Sequence, residues 1–93
     1  MHGNTFEPKD CIVMVLEIDC KNALGWFNLG CENGGKVHGL TYLDRECFSK
    51  AVECDFTLAA AWKHLGLRGG GWATGKFYSS AECDAMWGRY RGV

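Results

Sequence analysis

Set against itself at an offset of 36 residues, the chain aligns Trp26 with Trp62, Leu29 with Leu65 and Gly30 with Gly66. Without insertion or deletion, Gly34, Gly35, Gly39, Tyr42, Glu46 and Cys47 then fall on Gly70, Gly71, Gly75, Tyr78, Glu82 and Cys83. The register also runs backwards: His38, Gly39, Thr41, Cys47, Glu53 and Asp55 fall on His2, Gly3, Thr5, Cys11, Glu17 and Asp19, with Phe6 opposite Tyr42. A period of this length means stacked supersecondary units, none of which buries its own apolar face alone. One repeat domain follows, with 1–21 as the second half of a unit, 22–57 as a full unit and 58–93 as a unit with a divergent tail. Beyond Cys83 the match ends, for Asp84–Val93 resembles nothing in Phe48–Thr57.

Each period reads as two helices. Asn22 or Thr57 occupies the N-cap of the first, which runs Ala23–Glu32 or Leu58–Arg68 and closes in glycine-rich sequence. After a loop, Asn33–Leu40 or Gly69–Gly75, capping-box patterns at Thr41–Asp44 and Ser79–Glu82 open the second helix. Between Tyr42 and Cys54 the apolar Cys47, Phe48, Ala51 and Val52 recur at helical spacing, and Glu46 with Lys50 makes an i,i+4 pair. Cys11–Leu16 is apolar and β-branched enough to pass for a strand, but its repeat equivalent Cys47–Val52 is amphipathic in the helical sense. The repeat register therefore makes it helical. The expectation is an all-α fold of five helices, near 6–18, 23–32, 42–54, 58–68 and 77–89, stacked as a short α-solenoid.

Charge and composition narrow the function. Ten Lys plus Arg against eleven Asp plus Glu leaves a net charge of −1, without the positive excess that phosphate-backbone binding needs, so nucleic acid is not the expected partner. The longest apolar stretch, Cys11–Leu16, is too short to span a bilayer, which takes about 20 residues, so no membrane partner is expected. No secretory signal accompanies the six cysteines, which read as reduced thiols in a cytoplasmic protein. Cys11, Cys47 and Cys83 share one repeat position and read as small apolar side chains at a helix-packing site; a C-x2-C or paired Cys/His spacing for zinc is absent.

No catalytic constellation emerges either. His2 and His38 are loop equivalents, His64 lies on a first helix, and no Ser-His-acid or Cys-His arrangement follows from spacing. The acidic residues read as solvated helix faces and caps. Gly70–Lys76 fits the phosphate-binding pattern G-x4-G-K, but Phe77 stands where a Ser or Thr would ligate magnesium, and the segment follows a helix instead of a strand. Phosphate or nucleotide binding there is the alternative function; a purely structural piece of a longer repeat protein, assembling through Val13, Met14 and the tail, is another. Neither metal nor cofactor is expected.

The motif Trp26-x2-Leu29-Gly30, repeated as Trp62-x2-Leu65-Gly66 and preceded by Leu16-Glu17-Ile18-Asp19 or Val52-Glu53-Cys54-Asp55, resembles the tetratricopeptide repeat, and the long glycine loop is similar to Sel1-like repeats. The resemblance covers nearly all of 1–83, although the period is longer than the family's 34 residues and Cys20 and Phe56 replace the usual proline. It implies antiparallel helix pairs in a right-handed superhelix, with Trp26, Leu29, Gly30, Tyr42, Trp62, Leu65, Gly66 and Tyr78 as structural signature. It also implies a concave, peptide-binding face lined by first helices, here Leu24, Phe27, Asn28 and Cys31 in one unit and Ala60, Lys63, His64 and Leu67 in the next. The expected activity is accordingly protein–protein interaction, with a protein or peptide partner, and self-association or further repeats at the open ends. Such a surface suits a peptide with apolar side chains and an acidic group near Lys63.

Overall fold

A computed structural model describes residues 8–92. The chain runs α1 (Pro8–Ile18), α2 (Ala23–Cys31), β1 (Gly35–Val37), β2 (Leu40–Tyr42), α3 (Asp44–Cys54), α4 (Ala59–Leu67), β3 (Gly71–Ala73), β4 (Lys76–Tyr78) and α5 (Ser80–Tyr90). His2, Gly3, Thr5, Phe6 and the first residues of the expected 6–18 helix lie outside the described residues.

The five helices form where the repeat placed them, and Cys11–Leu16 is helical. The all-α expectation is nevertheless corrected: each glycine-rich loop folds into an antiparallel hairpin, β1 with β2 and β3 with β4, which makes the fold a mixture of helix and strand. Gly35 pairs with Tyr42 and Val37 with Leu40; Gly71 pairs with Tyr78 and Ala73 with Lys76. The cause is the two-residue turn. His38 and Gly39 (φ 50° and 79°), like Thr74 and Gly75 (φ 52° and 81°), are both left-handed, the primed geometry that matches strand twist. Because Tyr42 and Tyr78 are thereby engaged as strand residues, α3 and α5 begin two or three residues later than 42 and 77.

Local chemistry explains the remaining ends. Asn22 caps α2 by accepting from Gly25 N at 2.9 Å. Thr57 does not cap α4, because its hydroxyl and its N–H both donate to Asp55 Oδ1, and Leu58 takes the cap position instead. α2 closes with Gly34 N donating to Leu29 O and Asn33 N to Gly30 O; Gly70 and Gly69 repeat this on Leu65 and Gly66, a Schellman closure in each unit. Ser79 and Glu82 form the full capping box, whereas at α3 the box expected from Thr41 is reduced to Glu46 accepting from Leu43 N at 2.8 Å, since Thr41 belongs to β2. Glu46 and Lys50 do not pair, and Lys50 Nζ lies 5.9 Å from the centre of the Tyr42 ring.

The core runs between the units and contains Leu16, Trp26, Leu29, Val37, Phe48, Ala51, Val52, Trp62, Leu65 and Ala73, all essentially without solvent exposure. Each signature tryptophan also donates Nε1–H to the carbonyl six residues before it, Trp26 to Cys20 O at 2.7 Å and Trp62 to Phe56 O at 2.8 Å, so burial leaves no indole N–H unsatisfied. Tyr42 and Tyr78 meet these tryptophans edge-on, each at 4.8 Å between ring centres. Gly30 and Gly66 mark the closest helix approaches: a Cβ on Gly30 would sit 2.7 Å from the Phe48 ring, and one on Gly66 3.1 Å from Cys83 Cβ.

Of the three equivalent cysteines, Cys47 and Cys83 are fully buried, and burial pushes their thiols up to about 12 and about 11. Cys11 departs from the expected packing role and is exposed, because no first helix precedes α1 among the described residues to cover it.

Candidate functional site

Each hairpin is tied by a carboxylate to the second helix of the preceding unit, β1–β2 to α1 and β3–β4 to α3. Glu17 accepts from His38 N at 3.3 Å, and Glu53 from Thr74 N at 3.0 Å. These glutamates, expected only to solvate a helix face, hold the turn N–H groups in place. β3 seats flush on α3 because Gly71 has no side chain: a Cβ there would meet Leu65, Ser49 Oγ at 3.0 Å and Arg45. The segment resembling a phosphate loop is this hairpin, and it offers an anion little. Lys76 Nζ pairs with Glu82 at 3.3 Å, and the Thr74 N–H is already taken by Glu53.

The structure brings the expected first-helix residues together on α2 and α4. Leu24 and Leu67 are 59% and 67% exposed, and Asn28, Cys31, Ala60 and Lys63 are exposed beside them. Phe27 and His64 join the two helices. Their rings lie 5.2 Å apart edge-on, and both pack on Phe48, Phe27 at 5.8 Å and His64 at 5.2 Å. These two are thus partly core residues. Burial, then the charges of Arg68 and Lys63, lower the His64 pKa and favour a neutral imidazole. Burial raises the Cys31 thiol, with the Arg68 charge opposing it, so no activated thiolate is formed. Lys63 is held by Trp87, its Nζ 4.6 Å from the ring centre.

A second surface was not anticipated. On the opposite side of α3, Tyr42, Arg45, Glu46, Ser49, Lys50 and Trp72 line a groove of about 310 Å³. Trp72 is 64% exposed and stacks edge-on with Phe77 at 5.7 Å. The previous unit has the equivalent groove of about 400 Å³, where Lys9, Asp10, Val13, Met14 and Lys36 occupy corresponding positions. The only sequence signal for it is the pair of aromatics facing each other across Trp72-Ala73-Thr74-Gly75-Lys76-Phe77, and the self-alignment gives that pair no weight because Trp72 falls opposite Lys36.

An ion pair links the two surfaces. Arg68 Nε donates to Asp44 Oδ2 at 2.8 Å, while Arg45 Nη2 donates to Arg68 O at 2.7 Å. The Arg68 hydrogen bond, assisted by the Arg45 backbone N–H and opposed by partial burial, holds the Asp44 carboxyl below the usual 3.8. A depressed carboxylate pKa stabilises the fold above the unfolded value, and that contribution is lost as pH falls through the folded one. Both side chains are one-third exposed, so Asp44→Asn is expected to cost less than about 1 kcal/mol at pH 7 and close to nothing at pH 2.5. Urea denaturation at the two pH values checks this; an equal cost at both would show that the charge is not responsible.

No family model matches the chain, and no curated protein or solved structure matches it either. No helix among the described residues is long and apolar enough to cross a membrane.

Proposed function

We propose that this chain is a non-catalytic protein-interaction module of the tetratricopeptide-like kind, presenting the exposed row of α2 and α4 to a peptide or a partner helix. The observation that carries the reading is the row itself: Leu24 and Leu67 stand more than half exposed on two first helices joined by Phe27 and His64, and neither leucine serves the core. An extended or helical ligand placing apolar side chains on them brings an acidic group within reach of Lys63, which Trp87 holds in position. A reducing, cytoplasmic setting belongs to the same proposal and is supported by six free cysteines.

The test is selection of binding peptides from a displayed random library on the full chain in reducing buffer. Selected peptides are expected to lose at least tenfold in affinity to Leu24→Ser/Leu67→Ser, the size expected from removing about 1.4 kcal/mol or more of apolar burial. Lys63→Glu is expected to weaken acidic peptides selectively. Truncation of Phe27 is the wrong probe, since it opens a gap against Phe48 and confounds binding with stability. If instead Trp72→Ser abolishes binding and the leucine variant binds normally, the ligand surface is the hairpin groove and the first-helix assignment fails.

A further inference from the structure

α1 and α3 are repeat equivalents, and the differences between their surroundings are informative. Cys47, Phe48, Ala51 and Val52 of α3 are all fully buried, whereas of the matching Cys11, Ile12, Val15 and Leu16 only Leu16 is: Cys11 is exposed, Val15 is 43% exposed and Ile12 half-buried. What seals this flank of α3 is α2, with Gly30 against the Phe48 ring and Phe27 wedged between Phe48 and His64. In the next unit α4 does the same for α5, with Gly66 at Cys83. On α1 the corresponding place is an open trough of about 290 Å³, bounded by Cys11, Ile12 and Val15 on α1 and by Leu24, Gly25 and Asn28 on α2. Those last three are the equivalents of Ala60, Ala61 and His64, and Phe27 of α2 packs on the last of these.

We infer that this trough is the docking site for one more helix of the aromatic-x2-Leu-Gly type, supplied by a polypeptide segment other than residues 1–93. Its glycine faces Ile12 and Cys11, and the side chain directly after its motif aromatic sits over Ile12 and Asn28, as Phe27 sits over Phe48 and His64. Residues 1–7 are fewer than the nine residues of α2 or α4, and the self-alignment sets them opposite 37–43, not opposite a first helix. A second copy does not fit either. Both of its first helices already bury their Trp, Leu and Gly, and α5 turns Asp84, Ala85, Gly88 and Arg89 outward, while Lys63 and Arg91 lie over its Trp87 ring. Among the described residues, one end of the stack is thus closed by polar and small residues, and the other is apolar and open. The trough shares Leu24 and Asn28 with the first-helix row, but its test reads Cys11 on α1, which that row does not include, so the failure of one reading is distinguishable from the failure of the other.

The test extends the full chain by a copy of residues 21–36, with Cys31→Ser in the copy, placed directly before Met1 so that the 36-residue register is kept. Cys11 is the reporter. Iodoacetamide labelling followed by mass spectrometry is expected to find Cys11 at least as fast as Cys31 in the original chain and at least tenfold slower in the extended chain than in the original, with helical circular dichroism increased. Val15→Glu in the extended chain is expected to restore fast labelling. An acetylated, amidated 21–36 peptide added to the original chain is expected to protect Cys11 in a saturable way. The inference is overturned by fast labelling of Cys11 in the extended chain, whether helix has been gained elsewhere or not at all. It is equally overturned if Cys11 of the original chain becomes protected as concentration rises and the mass doubles, which would make a second copy the occupant.

Discussion

Trp62→Ala is expected to destabilise the chain by about 3–5 kcal/mol, the range for emptying a large aromatic site in a well-packed core. Trp62 is fully buried, Phe56 and Tyr78 meet it edge-on at 5.2 Å and 4.8 Å, and its removal leaves Phe56 O without the indole donor. A domain of this size has only about 5–15 kcal/mol in total, so the variant should be partly unfolded near body temperature. Trp26→Ala is expected to cost less, because one aromatic ring, Tyr42, packs on it where Trp62 has two. Urea denaturation of the two variants checks both the size and the order; equal losses would mean that the second ring contributes nothing.

Gly70→Ala is expected to cost about 3 kcal/mol for two reasons acting together. The residue has φ 90°, which an L side chain occupies at roughly 1–2 kcal/mol, and its Cβ would run into the backbone oxygen of Tyr78. That oxygen belongs to the hairpin, so relief requires moving β4, which adds on the order of 1–3 kcal/mol of overpacking. Gly34 stands identically against Tyr42 O, and Gly34→Ala should behave alike. Gly75→Ala is the control: φ is 81°, but a Cβ there meets nothing within 4 Å, so only the conformational part, about 1 kcal/mol, is expected. Thermal melts of the three variants separate the two contributions. A Gly75 variant as damaged as the Gly70 variant would assign the whole effect to backbone conformation.

Helices were legible in the sequence because their signal is repeated and long. The alignment of Cys11–Leu16 with Cys47–Val52 outweighed a local preference for strand, and α1 is helical. The hairpins were not legible, because each strand is three residues long and period-two alternation cannot declare itself over so short a run. The turn pairs His38-Gly39 and Thr74-Gly75 did carry information, but they lack the Asn-Gly or Asp-Gly form that marks a primed turn most strongly. The family resemblance names Leu24, Phe27, His64 and Leu67 alike as groove positions; both leucines are exposed, whereas the partial burial of Phe27 and His64 depends on how one unit sits on the next. Asp55 defeated the reading of Thr57 as a cap by offering its hydroxyl a nearer partner.

The braced hairpins change how such a stack should come apart. In a one-dimensional array, stability divides into what each unit holds alone and what it shares with its neighbour, and a weak shared part lets terminal units fray independently. Among the described residues each boundary is crossed twice, once by helix on helix and once by a hairpin reaching back to the second helix of the preceding unit, with Glu17 and Glu53 as its pins. The shared part is enlarged by the hairpins, so the units should melt as a block and lose the ability to exist singly.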